Sequence, residues 1–251
     1  MLKEERQNLI LEKLSTDKKI NFVELGQILN VSYDSIRRDI IELEDKGLLK
    51  KVHGGAVANS YLSILGQKND LHAHKSDELA ILFKKAMKII ENRQMIIMDG
   101  GTTNFFMVEQ LPKTLEATII TNSPPLAMAL QDHPKIEVIL LGGSYFKRYQ
   151  ITIGSEVARE LEHINADLYF MGVNGVDTQK GLTIRHYEES LVKQKMMQSA
   201  KKTICCVIEE KIGIQEGYKV CDFKEINALI TNIKPTDAKL ANFHKFGVEI
   251  L

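Results

Sequence analysis

No excess of either charge marks this chain. Lys plus Arg and Asp plus Glu each number 33 among 251 residues, so bulk electrostatics selects neither nucleic acid, a membrane surface nor an acidic partner. Cysteine is scarce. The three present, Cys205, Cys206 and Cys221, are odd in number and form no C-x-x-C pair, so neither a disulfide framework nor a zinc site is supported. Cys205 and Cys206 sit in the apolar run Ile204–Ile208, where a free thiol behaves as a small hydrophobe. Long apolar runs are missing too: none approaches the roughly 20 residues needed to span a bilayer. The opening MLKEERQNLI is charged at once and lacks an apolar signal core, so a cytoplasmic chain is expected. Internal repeats and low-complexity tracts are absent. What remains is 44% hydrophobic and 26% charged, an ordinary soluble composition. The length suits one α/β domain or two unequal ones.

The pattern changes character near residue 56. Before it, Leu2, Leu9, Ile10 and Leu14 form one helical face, and Phe22, Leu25, Ile28 and Leu29 a second. Ile36, Ile40 and Leu43 form a third, at i, i+4 and i+7. Asn30–Val31 reads as a tight connection, Ser32 as the N-cap of the third helix and Gly47 as its stop. Leu48–His53 with Gly54–Gly55 predicts a short strand and turn, the shape of a wing. Residues 57–74 read as a linker. From Lys75 onward a helix is followed by alternating strands and helices. The strands are expected at Met95–Met98, Thr118–Thr121, Ile136–Leu141, Asp167–Gly172, Thr203–Ile208, Ala228–Thr231 and Val248–Leu251. Helices are expected at about 104–111, 124–132, 155–163 and 187–200. Short apolar strands alternating with helices predict an α/β domain over 75–251, its mostly parallel sheet covered on both faces.

Three helices, a short turn before the third and a strand-turn after it make the helix-turn-helix plan over residues 1–56. With Ile36, Ile40 and Leu43 packed inward, the third helix leaves Ser32, Tyr33, Ser35, Arg37 and Arg38 near its start, where base contacts normally fall. Arginine can grip guanine or a phosphate bidentately, and Lys50, Lys51 and His53 on the wing could reach the flanking backbone. The plainer reading is charge balance on a solvated face, since Asp34 and Glu42 both lie four residues from Arg38. Residues 1–56 hold 10 basic and 10 acidic side chains, so DNA affinity requires charge segregated onto one face.

In the larger part, MIIMDGGTTNFFMVEQL reads as strand, glycine-rich turn and helix. Asp99, Gly100, Gly101, Thr102 and Thr103 there combine close backbone approach, hydroxyls and a helix N-terminus, a good anion site. Thr121, Asn122 and Ser123 form a second such turn, and Gly142 and Gly143 a third. Three polar turns at strand ends suggest one ligand crevice, although each alone is ordinary turn chemistry.

The stretch NVSYDSIRRDIIELEDKGLLKKVHGGA resembles the DeoR family signature, V-S-x-x-T-I-R-R-D-L-x-x-L-E followed by G, a basic wing and H-G-G-A. Ser35 stands for the family's Thr and Ile40 for its Leu. The later segments resemble the DeoR sensor pattern in order: Asp99–Thr103, Thr121–Ser123, Leu141–Gly143, Gly154, Asp167–Gly172 and Gly181–Thr183. The resemblance implies a winged helix-turn-helix domain joined to a sensor domain related in fold to ribose-5-phosphate isomerase and glucosamine-6-phosphate deaminase. It also implies a double-stranded DNA operator, a phosphorylated sugar or related metabolite as effector, and neither cofactor, metal nor catalysis. Lys211 matches a family lysine that helps hold the anion. The surrounding VIEEKIG departs from D-x-S-K: Ile208 takes the Asp position and Glu210 the Ser position. Glu209 could replace the Asp after a one-residue shift, and Lys147 and Arg148 could add positive charge. An isomerase or deaminase using Asp99, His186, Glu188 or Glu189 is the enzymatic alternative, without a distinctive catalytic spacing. A ligand-independent regulator with a vestigial sensor site is the other. Helix-turn-helix proteins usually read paired half-sites, so a homo-oligomer is expected.

Overall fold

A computed structural model describes residues 3–17, 19–45, 49–52, 54–58 and 77–251. The chain divides into two compact units, Met1–His74 and Lys75–Leu251. The first contains helix α1 (Lys3–Asp17), strand β1 (Lys19–Asn21), helices α2 (Phe22–Leu29) and α3 (Tyr33–Asp45), and strands β2 (Leu49–Val52) and β3 (Gly55–Ala58). The strands form one antiparallel sheet in the order β1-β3-β2. Ile10, Leu14, Ile20, Phe22, Leu25, Ile36, Ile40, Leu43, Leu49 and Ala56 make the core. Two expected core positions are corrected. Leu9 is 42% exposed and Ile28 54% exposed; they lie along a shallow depression of about 310 Å³ that includes Glu12, Lys13, Leu25 and Leu29. Gln7 is buried in their stead. Strand β1, unforeseen because three residues carry no period, completes the wing sheet. Val57 and Ala58, expected in the linker, extend β3. Leu2, Gly47 and the remaining linker positions lie outside the described residues.

The second unit opens with helix α4 (77–86). Then come β4 (Gln94–Met98), α5 (Thr102–Gln110), β5 (Ala117–Thr121), α6 (Pro124–Ala129), β6 (Ile136–Leu140), β7 (Ser144–Phe146), β8 (Ile151–Ile153), α7 (Ser155–Leu161) and β9 (Ala166–Met171). After these follow β10 (Gly175–Asp177), β11 (Gly181–Ile184), α8 (Tyr187–Gln198), β12 (Ala200–Val207), β13 (Tyr218–Cys221), β14 (Ala228–Thr231) and β15 (Glu249–Ile250). Seven strands form a parallel sheet ordered β15-β14-β12-β9-β4-β5-β6.

Strand side chains alternate between two cores, as period-two geometry requires. Ile97, Ile120, Tyr169, Cys205 and Leu229 pack with α7 and α8. Ile96, Ile119, Phe170, Cys206 and Ile230 pack with α4, α5 and α6. Both faces are covered, so the strands read as continuous apolar runs. Two small antiparallel additions carry no such run: the β7–β8 hairpin and the sheet β10-β11-β13. Among the described residues no helix is long and apolar enough to cross a membrane.

The strand order places a topological switch. From β4 the chain steps outward to β5 and β6, then returns to β9 on the other side of β4. Between the carboxyl ends of β4 and β9 the two connections diverge, the usual ligand position in open α/β sheets.

Candidate functional site

The α2–α3 turn is compact because Gly26 lets the next strand of backbone close in. Val31 N–H donates to the Gly26 carbonyl at 3.0 Å, and a Cβ at Gly26 would lie 3.1 Å from Val31 O. Asn30 closes α2 in the left-handed region at φ 52°, which asparagine tolerates well. Ser32 Oγ accepts the Ser35 N–H at 3.3 Å and meets the Ser35 hydroxyl at 3.0 Å, the expected N-cap. Tyr33 is half-exposed, its ring set edge-on against buried Phe22 at 5.7 Å.

Charge on α3 is sorted by face. Asp39, 1% exposed, is gripped by two guanidinium nitrogens of Arg6 from α1. Glu42 receives Lys3 at 2.6 Å and Gln7 at 3.1 Å, also from α1. Glu44 accepts the Lys51 N–H of the wing at 2.9 Å. Three acids are thereby turned to the scaffold, while Arg37 and Arg38 stay exposed. Arg38 Nε donates to the Asp34 carbonyl at 3.3 Å, and Glu42, its other expected counter-ion, is committed to α1. Neutral composition thus coexists with an arginine-bearing outer face.

The wing is fixed by glycine geometry. Gly54 turns the β2–β3 hairpin at φ 73°, and a Cβ on Gly55 would fall 2.2 Å from the Ile20 carbonyl oxygen. The Gly54 carbonyl accepts the Phe22 N–H at 3.0 Å, tying the wing to the start of α2. Lys50 pairs with Val57 in the sheet and Lys51 with Ala56. His53 lies outside the described residues.

At the switch point the turn after β4 is organised by Asp99, which is 1% exposed. Its carboxylate accepts from Tyr169 Oη at 2.6 Å, Gly172 N at 3.0 Å and Asn104 Nδ2 at 2.9 Å, and pairs with Lys193 Nζ at 2.5 Å. Lys193, on α8, also meets Glu189 at 3.3 Å. Burial works to lower the Lys193 pKa, but Asp99 and Glu189 outweigh it and raise it, so the ammonium persists. Burial and the neighbouring Asp99 charge push the Tyr169 hydroxyl well above its usual value, so it stays a donor. The Asp99 carboxylate therefore holds the turn. It is not placed as a general base, its lone pairs being taken.

Around it, Gly100 must be glycine: a Cβ there would lie 2.2 Å from Ile151 Cγ2. Gly101 faces open space and is the N-cap of α5, so no side chain caps that nine-residue helix. Thr102 is partly exposed and Thr103 buried. Thr121, Asn122 and Ser123 are all buried. Asn122 Oδ1 accepts the Gly100 N–H at 3.2 Å and its Nδ2 donates to Thr152 O at 2.9 Å. Thr121 Oγ1 accepts the Ser123 N–H at 3.1 Å. This second turn buttresses the first. At the third turn the Gly142 N–H donates to the Glu160 carboxylate at 3.1 Å. Gly143, at φ 123°, is fixed by the nearby Ile153 carbonyl.

Lys211 reaches across from the end of β12 and donates to Val173 O at 2.7 Å, beside Gly172 of the Asp99 network. Glu209 is paired with Lys239, with its N–H on Asn232, and Glu210 is exposed. Lys147 and Arg148 are exposed on the β7–β8 hairpin, Arg148 lying 5.7 Å from the Tyr149 ring centre. Among the former enzyme candidates, Glu189 is committed to Lys193, Glu188 is exposed, and His186 stacks on Phe146.

Sequence reasoning missed Asn104 and Lys193, and named Tyr169 and Gly172 only as part of the segment Asp167–Gly172. Lys193 left a signal. It shares the buried face of α8 with Ser190 and Met196, where an unpaired lysine is not tolerated, and Glu189 precedes it by one helical turn.

The profile of the DeoR C terminal sensor domain matches residues 75–233, and that of the DeoR-like helix-turn-helix domain matches residues 6–61. The chain is similar to the HTH-type transcriptional regulator GolR of Listeria innocua, 32% identical over 98% of this chain and 97% of that protein. It is equally similar to the HTH-type transcriptional repressor GlcR of Bacillus subtilis, 32% identical over 100% of this chain and 96% of that one. A solved structure of ribose 5-phosphate isomerase A from Methanocaldococcus jannaschii is 18% identical with a TM-score of 0.39, covering 55% of this chain and 54% of its own. Two domain matches in the right order and full-length relatives above 30% identity place this chain in the DeoR family of helix-turn-helix transcriptional regulators.

Proposed function

We propose that the protein is a repressor of carbohydrate-metabolism genes that binds operator DNA as a homo-oligomer. A phosphorylated sugar or related metabolite, held at the switch-point turn, modulates that binding. The sorting of charge on α3 carries the DNA reading. With Asp39, Glu42 and Glu44 bonded to α1 or the wing, Arg37 and Arg38 face outward without a competing carboxylate from those three residues. Gly101 carries the effector reading: an uncapped helix N-terminus beside open space, at the topological switch, is suited to an anion. Lys211, on the adjoining loop, supplies positive charge. Effector binding alters operator affinity only through a difference in affinity for two states of the oligomer.

Selection of duplexes from a random pool tests the first half. The wild type should enrich a motif with two related half-sites, and Arg37→Ala with Arg38→Ala should bind it no better than random DNA. Equal binding by the double variant would overturn the assignment of α3. The second half is tested by Gly101→Asp. The open site admits the side chain, and aspartate is a favoured N-cap, so unliganded stability should hold or rise by a few tenths of a kcal/mol. Stabilisation by phosphorylated sugars should vanish, because the carboxylate occupies the anion's place. Retained stabilisation would refute the anion site.

A further inference from the structure

Four buried side-chain atoms among the described residues have no hydrogen-bond partner: Glu78 Oε2, His133 Nδ1, Gln150 Oε1 and His186 Nδ1. Two of these belong to residues linked to Phe146, one through its ring and one through its backbone. The His186 imidazole stacks on Phe146 with centres 4.3 Å apart and planes 29° from parallel. Gln150 N–H donates to the Phe146 carbonyl at 2.8 Å. Gln150 is 4% exposed and held in the left-handed region at φ 56°, a conformation that costs energy for a residue of this type.

The same residue borders the switch-point turn. Its carbonyl receives the Ser123 hydroxyl at 3.4 Å, and its neighbour Ile151 fills the space beside Gly100. His186 stands at the N-terminus of α8, the helix that carries Lys193 to Asp99. Both orphans thus belong to segments tied directly to the turn assigned to the anion.

A buried polar atom left without a partner is unfavourable, and native proteins keep few of them outside working sites. Backbone strain at Gln150 adds a second cost at the same spot. A carboxamide and an imidazole each donate and accept, which matches the dual character of a hydroxyl group. Neither adds the fixed cation that a second phosphate requires.

We propose that Gln150 and His186 form the hydroxyl-reading end of the effector site. They exchange hydrogen bonds with the hydroxyls or carbonyl of a polyhydroxylated monophosphate whose phosphate lies at Gly101. The proposal rests on the anion reading above and adds the specificity-determining pair. It selects against inorganic phosphate.

Titration calorimetry on the full chain tests it, with inorganic phosphate, glycerol 3-phosphate, ribose 5-phosphate, fructose 1-phosphate and glucose 6-phosphate as probes. The variants are Gln150→Met and His186→Phe, which keep shape and the Phe146 stack but remove the polar atoms. The wild type should bind at least one hydroxylated phosphate tighter than inorganic phosphate by about fivefold per hydrogen bond. In the double variant that preference should disappear while the inorganic phosphate affinity stays within about twofold, since a twofold change is far smaller than one lost hydrogen bond. Its unliganded melting temperature should not fall, because apolar isosteres replace groups without partners.

If the wild type binds inorganic phosphate as tightly as every organic probe, the anion site stands and the hydroxyl-reading pair is wrong. If the double variant melts well below wild type, the two atoms are satisfied by buried water and the proposal fails. If the wild type binds none of the five, the anion reading falls and this proposal with it.

Discussion

Replacing Lys193 by methionine removes one charge from a pair whose side chains are 3% and 2% exposed, and leaves the rest of the network in place. Met fills nearly the same volume, so packing is largely kept. Asp99 keeps Tyr169, Gly172 and Asn104 but loses its ionic partner, and Glu189 loses the same ammonium. Breaking a buried pair from one side typically costs about 3–5 kcal/mol, because a charge remains without compensation. For a unit of this size that corresponds to a fall in melting temperature of roughly 6–20 °C. Neutralising the partner as well, in Lys193→Met with Asp99→Asn, should return at least about 1 kcal/mol, since contacting residues couple by 0.5–3 kcal/mol. Thermal unfolding followed by circular dichroism reads both values. Hydrogen exchange at Gly172, whose amide bonds Asp99, reports whether the loss is local to the turn. A single variant within about 1 kcal/mol of wild type would refute the reasoning, as surface ion pairs are worth no more than that. So would a double variant no more stable than the single.

High pH should unfold the sensor unit early. Burial raises the Cys205 and Cys206 thiols, pushes Cys221 up to about 12, and raises Tyr169, while Asp99 and Glu189 hold Lys193 up against burial. Each folded value exceeds its unfolded one, so the contribution is complete below the unfolded pKa and is lost as pH climbs towards the folded value. The window opens near the ordinary thiol value of 9.0 and widens through 10.5; a urea midpoint unchanged from pH 8 to 11 would contradict it. Arg6→Ala leaves the Asp39 carboxylate buried beside Ile40 and should destabilise the N-terminal unit by about 1.5–3 kcal/mol, the usual value of a hydrogen bond to a charged group. Asp39→Asn in the same background should recover part of that loss, and denaturant unfolding measures both. Gly55→Ala forces a methyl group against the Ile20 carbonyl, an overpacking of about 1–3 kcal/mol. Operator affinity should fall with it, and unchanged affinity in a gel-shift titration would mean the wing is dispensable.

The parallel sheet was legible because its strands are buried on both faces, so runs such as Met95–Met98 and Thr203–Val207 stand out without alternation. The β7–β8 hairpin and β10-β11-β13 were not, since strands of three or four residues resemble ordinary turn segments. Leu9 and Ile28 show the limit of helical periodicity: both fit an apolar stripe, yet each helix has a narrower contact than its stripe. At the site, glycine-rich turns announced where backbone comes close but not which N–H groups remain available. Gly142 looked like Gly101 in sequence, and only Glu160, eighteen residues later, distinguishes them. The turn-holding role of Asp99 was hidden for a similar reason. Its four partners come from α5, β9, the loop after β9 and α8, and no local pattern encodes that convergence.

The acids of α3 that bond α1 and the wing bear on how such a protein finds its site in a cell. Affinity for generic DNA is set by the number of phosphates a protein neutralises, and it competes for every molecule at each of the many irrelevant positions on a chromosome. A domain with 10 basic and 10 acidic residues in its first 56 has little long-range pull of that kind. On the proposed reading of Arg37 and Arg38, those arginines add their contacts once the groove is entered, and such a regulator spends less time held on irrelevant sequence.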